Sequence, residues 1–558
     1  MVASGTGQQP QAAGTLPAEA SAPVAPPTVV AATNLSSWAP LRHPLFRALW
    51  LASLASNVGT WVQSVAAVWL MTSLTTSPVL TALVQTASSL PLVLFALPAG
   101  ALADMVDRRK LLLWSQAWML VVAAALGALT LLGLQDPWSL LGLTFALGLG
   151  AAFTAPAWQA INLELVPRAE LPAAVALGSA SINGARAVGP GLGGLLVSAV
   201  GASWAFLLNA ASFLGVIAVL FAWRREPDRS TLPREQVFGA IRAGLRFIRH
   251  SPALKRVYTR VGLFVLSSSA LWAILPILAR REMHLDATGY GLMLASLGIG
   301  AVSGAAALPA VRGRLGTSRL VDVSGVIFAG VLAALGLVPP FWVALLILFV
   351  AGFVWMSPLS SLNVVTQSIA PAWVRARALA FHLLVLQAGL ALGAALWGWL
   401  ADRTSVATVF EAAAASLVVA SAVGAFLPLR NIDHLDLTPA ARPLPQEIID
   451  AVGHDDGPVL VTIEYRIDPS RTEAFLDAMH SVRRMRRRGG AQRWGVFADA
   501  ADPGLFVESF LVESWLDHLR QHERMTVTDR DISARARAFH VGSEDPVVRH
   551  LVASLPIG

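Results

Sequence analysis

Long apolar runs, broken only by short polar turns, dominate this chain and leave it few folds to choose from. A helix needs about 20 apolar residues to cross a hydrocarbon core. On that rule the sequence predicts spans over 46–73, 78–103, 110–134, 138–166, 171–200 and 203–223. After a polar stretch come 257–280, 288–311, 319–338, 341–370, 374–401 and 406–428. The two sets echo one another. Phe153-Thr154-Ala155-Pro156-Ala157-Trp158-Gln159-Ala160-Ile161-Asn162 returns as Trp355-Met356-Ser357-Pro358-Leu359-Ser360-Ser361-Leu362-Asn363, and each copy precedes a second proline (Pro167, Pro371) and a Gly/Ala-rich helix. A duplicated bundle of parallel repeats, with a route between its halves, is the expected architecture. At 55% hydrophobic and 13% charged residues over 558, the chain is too apolar for an ordinary soluble enzyme.

The formal net charge of +7 would suit nucleic acid, but the arginines gather in turns on one side of the bundle. Arg42, Arg47, Arg108, Arg109, Lys110, Arg168, the 224–249 arginines, Arg312, Arg314, Arg319, Arg375, Arg377 and Arg430 share that side; Arg280, Arg281 and Arg403 are the exceptions. The bias predicts both termini in the cytoplasm of a bacterial cell, with the chain multi-pass in the inner membrane and nucleic acid excluded as a partner. With no cysteine there is no disulfide and no thiolate metal site. No cofactor or metal is expected.

Residues 1–40 are Ala/Pro/Thr-rich, lack a charged n-region and read as a disordered tail. Bundles over 41–223 and 257–430 flank a loop at 224–256. There Val237, Ile241, Leu245 and Ile248 recur at helical spacing beside Arg242, Arg246 and Arg249, as in an amphipathic helix on the inner leaflet or a solvated linker helix. A linker at 431–456 leads to a small domain at 457–545 and a tail at 546–558. Val459, Val461, Ile463, Tyr465 and Ile467 alternate as a strand, and Ser470 with Glu473 forms a capping box. The helix that follows ends on Arg483, Arg484, Arg486, Arg487 and Arg488, suited to its dipole or to anionic lipid. Strands near 492–498 and 505–512, a helix near 514–525 and a strand near 535–541 complete a ferredoxin-like order. The predicted fold class is thus an all-α polytopic membrane protein of twelve transmembrane helices in two six-helix repeats, with a small α+β ferredoxin-like domain appended.

Between spans two and three stands Gly100-Ala-Leu-Ala-Asp104-Met-Val-Asp107-Arg108-Arg109-Lys110. A glycine permits tight packing, a carboxylate suits the next helix's positive end, and the cations can pair with it as a breakable latch. This resembles the loop motif of the major facilitator superfamily, departing at Met105 and Asp107. Span five carries Gly184-Ala-Arg186-Ala-Val-Gly189-Pro190-Gly191-Leu-Gly193-Gly194, in which Gly189 and Gly193 allow close backbone approach and Pro190 a kink. It resembles the Gly-Pro motif of the superfamily's exporters. Ordinary topology anchoring and small-residue packing are the plainer accounts of the two stretches.

Arg186 falls near mid-span, where a charge costs about 3 kcal/mol and should face a cavity or a partner. It meets either an anionic substrate group or a structural hydrogen-bond acceptor. For proton coupling span one offers only Asn57 and Gln63, and Glu164, Glu411 and His382 are the remaining candidates, with none singled out; Asn162 and Asn363 can line a polar route or bond between helices.

Together the motifs and the Asn183–Pro190 stretch are similar to the transmembrane secretion-effector branch, which includes siderophore exporters of the enterobactin type. The resemblance implies export of a siderophore, drug or secondary metabolite by proton antiport, with the bilayer, a small molecule and protons as partners. The small domain resembles antibiotic-biosynthesis monooxygenases around Glu513-Ser-Trp515-Leu-Asp-His518-Leu-Arg-Gln-His522. That implies a homodimerising or regulatory module, the alternative being a cofactor-free oxygenase or ligand sensor acting on the transported compound. No Walker phosphate loop is present to support ATP drive.

Overall fold

The computed structural model describes Ser36 and residues 38–223, 237–429, 436–438, 440, 452–453 and 456–554. The predicted N-terminal tail lies almost wholly outside the described residues, as does most of the 431–456 linker.

The first half comprises α1 (Pro44–Leu74), α2 (Pro78–Met105), α3 (Arg108–Leu131), α4 (Pro137–Leu165), α5 (Leu171–Val200) and α6 (Ala202–Ala222). Turn chemistry sets their starts. Proline occupies the first turn of α1, α2 and α4, where a missing N–H costs nothing. The Asp107 carboxylate accepts from the Lys110 N–H at 3.0 Å to cap α3, and Asp136 and Ser139 form a capping box on α4.

After α7 (Val237–Arg249), the second half begins with a broken span: α8 (Pro252–Ser268), α9 (Ala270–Ile277) and a π-helical turn at Leu278–Glu282. It starts at Pro252, ahead of the expected 257, so the preceding loop is shorter than 224–256. Next come α10 (Ala287–Leu315), α11 (Thr317–Gly336), α12 (Phe341–Ile369), α13 (Ala372–Ala401) and α14 (Val406–Phe426).

The packing repeats with the sequence. In the first half α1 lies on α5, α2 on α4 and α3 on α6; in the second α8 lies on α13, α10 on α12 and α11 on α14. Between halves α5 packs along α10 and α2 along α13, the reciprocal pairing of a two-fold duplication. The echoed prolines Pro156 and Pro358 sit inside the corresponding helices α4 and α12. Ten described spans are long and apolar enough to cross a membrane. The long helices α1 and α5 fall short of that measure; they carry Asn57, Gln63, Asn183 and Arg186.

The C-terminal domain is a four-stranded antiparallel sheet of order β2-β3-β1-β4, with β1 at Val459–Arg466, β2 at Gly495–Ala498, β3 at Leu505–Val512 and β4 at Val547–Val552. Helices α15 (Thr472–Gly489), α16 (Trp515–Glu523) and α17 (Val527–Arg537) cover it over a core of Val461, Ile463, Phe475, Met479, Phe510 and Trp515. The order is ferredoxin-like.

Two sequence expectations fail here. The strand placed near 535–541 is instead the end of helix α17, nucleated by a capping box between Thr526 and Asp529, and a following turn that meets the sheet only through an isolated His540–Ile467 bridge; the fourth strand lies in the supposed tail, where Val459–Glu464 pairs with Val547–Val552. The domain therefore runs past 545. Nor do Ser470 and Glu473 make a capping box: Asp468 caps a short 3-10 turn at Pro469–Arg471 instead.

Candidate functional site

The seam between α5 and α10 is built backbone to backbone. A Cβ on Gly194 would lie 2.8 Å from the Gly291 Cα, and one on Gly298 would lie 2.7 Å from the Arg186 carbonyl oxygen. Gly189 and Gly193 do the same against α1, meeting the Trp61 Cβ at 2.5 Å and the Val62 Cα at 3.0 Å. Pro190 is buried between them, and its carbonyl lies 2.8 Å from a Cβ built on Gly291. The Gly-Pro stretch thus clamps α5 between α1 of its own half and α10 of the other.

Arg186 leaves this seam toward the second half. Its Nη1 stands 3.7 Å from the Met356 Sδ on α12, and its guanidinium lies 5.7 Å from the Trp61 ring centroid. It makes no ion pair among the described residues, so a half-buried cation reaches across to the other half with soft partners only.

The polar candidates divide. On α1, Asn57 donates to the Ser181 Oγ of α5 at 3.0 Å, a little over one turn before Arg186. Gln63 is buried, its amide oxygen accepting from Asn209 of α6 at 2.5 Å, which commits it to holding two helices together. Asn363 on α12 accepts from Gln367 one turn on. Asn162 and Glu164 lie on α4, but their side chains fall outside the described residues.

Of the loop motif, Gly100 faces open space and Asp107 caps α3. Arg109 does not bind a carboxylate among the described residues. Its Nε and Nη2 donate to the Leu220 and Phe221 carbonyls at 2.7 and 2.8 Å, the last turn of α6, where a cation meets the negative helix end. Arg108 flanks it, and the Asp104 side chain lies outside the described residues.

At the end of the bundle away from the appended domain, the halves are tied together. Arg280 donates to the Thr72 hydroxyl at 2.9 Å and lies over Trp69; Arg281 reaches the Thr76 carbonyl. Ser77 donates to Asp402 and Ser198 to Asp286, each at 3.3 Å. Nearer mid-span Thr86 donates to the Ala391 carbonyl at 2.8 Å. Arg280 and Arg281, exceptions to the one-sided arginine pattern, therefore tie one half to the other.

Sequence reading missed a second buried charge. Arg260 of α8 is 4% exposed and pairs with Asp322 of α11, its guanidinium also donating to Ser318. A scan for ionisable residues inside spans would have found both partners.

The appended domain docks on the second half. Helix α7 is sandwiched between α13 and α15, burying Ala243, Phe247 and Ile248 while Leu245 remains 47% exposed. Of the stripe expected to face the leaflet, Ile248 is thus in a protein contact and Leu245 stays exposed, while the Val237 and Ile241 side chains lie outside the described residues. Arg488 stacks over Phe247, Arg524 lies 4.3 Å from the Trp373 ring, and Arg242 pairs with Glu513 at 3.4 Å. Two arginines of the basic run turn inward: Arg488 pairs with Asp529, and Arg486 with the fully buried Glu508 at 3.0 Å. Glu508 also accepts from the Trp494 indole at 2.9 Å and the Tyr465 hydroxyl at 3.2 Å, so the carboxylate is fully engaged.

Known proteins resemble the chain over much of its length. The family described as transmembrane secretion effector matches residues 35–556. The multidrug efflux pump Tap of Mycolicibacterium fortuitum is 30% identical over 408 residues, 70% of this chain and 98% of the pump. The enterobactin exporter EntS of Salmonella typhi is 30% identical over 382 residues, 66% of this chain and 88% of the exporter. Among solved structures, a bacterial homolog of the lysosomal transporter Spinster, inward-facing and occupied, aligns with TM-score 0.55 at 16% identity over 70% of this chain and 97% of its own. An auto-inhibited peptide transporter of the POT family gives 0.57 at 14% over 70% and 97%. At such identity the structures speak to the fold, while the matched family and the two exporters settle descent. The chain is a multi-pass membrane protein belonging to the transmembrane secretion effector family of the major facilitator superfamily.

Proposed function

We propose that this protein is a secondary exporter of a small molecule, working by alternating access between its two halves. The single observation that carries the reading is the position of Arg186. It is a mid-span cation with no ion pair among the described residues, on the Gly-Pro helix that forms the seam, facing Met356 of the opposite half. A seam of facing glycines lets two rigid bundles pivot without side chains in the way. The ties at Thr72–Arg280, Ser77–Asp402 and Ser198–Asp286 close one end, which the arginine bias assigns to the outside of the inner membrane. On this reading the outward end is closed in this state, and the arginine bias supports both termini and the appended domain on the cytoplasmic side.

Substrates with an anionic or aromatic character suit Arg186 and Trp61, the class to which drugs, siderophores and other secondary metabolites belong. Proton antiport is the drive that family membership favours, with Glu164 as the acid to test first. The appended domain serves the transporter as a docked module, its interior polar cluster being engaged by Arg486, Trp494 and Tyr465.

The test is accumulation of fluorescent drugs and ferric-chelating catechols in efflux-deficient cells, with and without the protein, and with the proton gradient collapsed. Lower accumulation that disappears on collapse supports proton-driven export. Lower accumulation that survives collapse supports export by another ion, and higher accumulation supports uptake.

A further inference from the structure

Three histidines of the appended domain come together at a place the transport reading does not use. His518 and His522 are four residues apart on α16, so they share one face of that helix. His550 lies on β4 directly opposite Val461 of β1, whose side chain is in the core, so it points toward the same helical layer. The ring centroids of His518 and His522 are 4.8 Å apart, as are those of His518 and His550, and one ring nitrogen from each of the three lies within 4.8 Å of the others.

His518 is the second, independent observation. It is 2% exposed, beside the wholly buried Trp515, and neither ring nitrogen makes a hydrogen bond of standard geometry among the described residues, though the Gln521 side chain is close enough to interact with it. A histidine buried for packing keeps at least one nitrogen bonded, because a buried unmet polar group is costly. Here neither is bonded in standard geometry, and the ring faces two more imidazoles. His522, His550 and Arg486 stand around it. The Arg486 charge is itself answered by Glu508.

We propose that His518, His522 and His550 bind one divalent transition-metal ion of the class that imidazole prefers, with zinc as the type member. Three histidines and one open position form a tetrahedral set of the kind that holds zinc with an exchangeable fourth ligand. A filled site needs nitrogens about 3.3 Å apart, from metal–nitrogen bonds of about 2.05 Å. His522 and His550 are only partly buried and can swing inward to reach that spacing against the fixed His518. His522 also lines the crevice between the domain and the bundle, alongside Phe247, Trp373 and Arg524, so the ion would sit at the docking contact.

The experiment uses the full chain, purified untagged in detergent and stripped with a chelator. Cobalt(II) is titrated while its visible bands are recorded, then displaced with zinc, and zinc binding is measured separately by calorimetry. The expected result is one equivalent per chain with tetrahedral cobalt bands that zinc abolishes. H522A and H550A should each weaken binding by at least about tenfold. Both replace partly exposed side chains, so an unchanged melting curve certifies their fold even if H518A disrupts the core. Octahedral cobalt bands, or equal affinity in wild type, H522A and H550A, would overturn the assignment.

Discussion

A side chain on Gly194 of α5 has nowhere to go, because the Cα of Gly291 on α10 stands 2.8 Å from where its Cβ would be and the Ala287 carbonyl 2.5 Å. The two halves therefore touch through bare backbone at the point about which they are proposed to pivot. Gly194→Leu should reduce export at least about tenfold while leaving membrane insertion intact, since a displacement as small as about 1 Å can cost a hundredfold in a positioned site. Whole-cell export alongside detergent size-exclusion checks this. Wild-type export by a well-folded Gly194→Leu would remove the seam from the mechanism.

Arg186 separates substrate from structure. Arg186→Ala should abolish export of anionic compounds first and spare neutral ones, whereas Arg186→Lys keeps the charge and should retain part of the anionic activity. Equal loss across anionic and neutral compounds, measured as efflux rates on a matched pair, would make it a scaffold residue.

The Arg260–Asp322 pair is a folding element of the second half. Removing Asp322 strands the buried Arg260 guanidinium, at a cost of about 3–5 kcal/mol, while removing both is milder. Asp322→Leu should lower the detergent melting temperature more than the Arg260→Met, Asp322→Leu double variant does. A double variant as unstable as the sum of its singles would show that the two side chains do not act as a pair.

In the appended domain Glu508 occupies the same role at greater depth, with Arg486, Trp494 and Tyr465 all donating to it. Glu508→Leu leaves three donors unmet and should destabilise that domain by about 3–5 kcal/mol. Amide hydrogen exchange of β1 and β3, which is specific to that domain, would read it. The transmembrane halves should melt as before.

What the sequence discloses and what it hides follow from the range of the interactions involved. Span positions and the Gly189–Gly194 clamp are legible because apolar length and small-residue spacing are local signals. The Arg260–Asp322 pair is not, because a whole span separates its partners in the chain and only the packing of α8 on α11 joins them. The helical period of α7 is plain in the sequence, but its buried face is not, since α15 and α13 impose a contact that this period does not encode. The short alternation of Val547–Val552 carries too little apolar weight to be recognised as a strand without β1 beside it. Likewise, nothing local links His550 to His518 and His522.

The far-end closure offers the most direct test of alternating access. The chain has no cysteine, so a Ser77→Cys, Asp402→Cys pair reports without background at a contact now 3.3 Å across. Substrate accumulation is measured in efflux-deficient cells carrying this pair, before and after a short bifunctional thiol reagent. The account predicts export by the untreated pair and its loss on cross-linking, with a single-cysteine control unaffected. Export that continues at full rate through a cross-linked far end would contradict it.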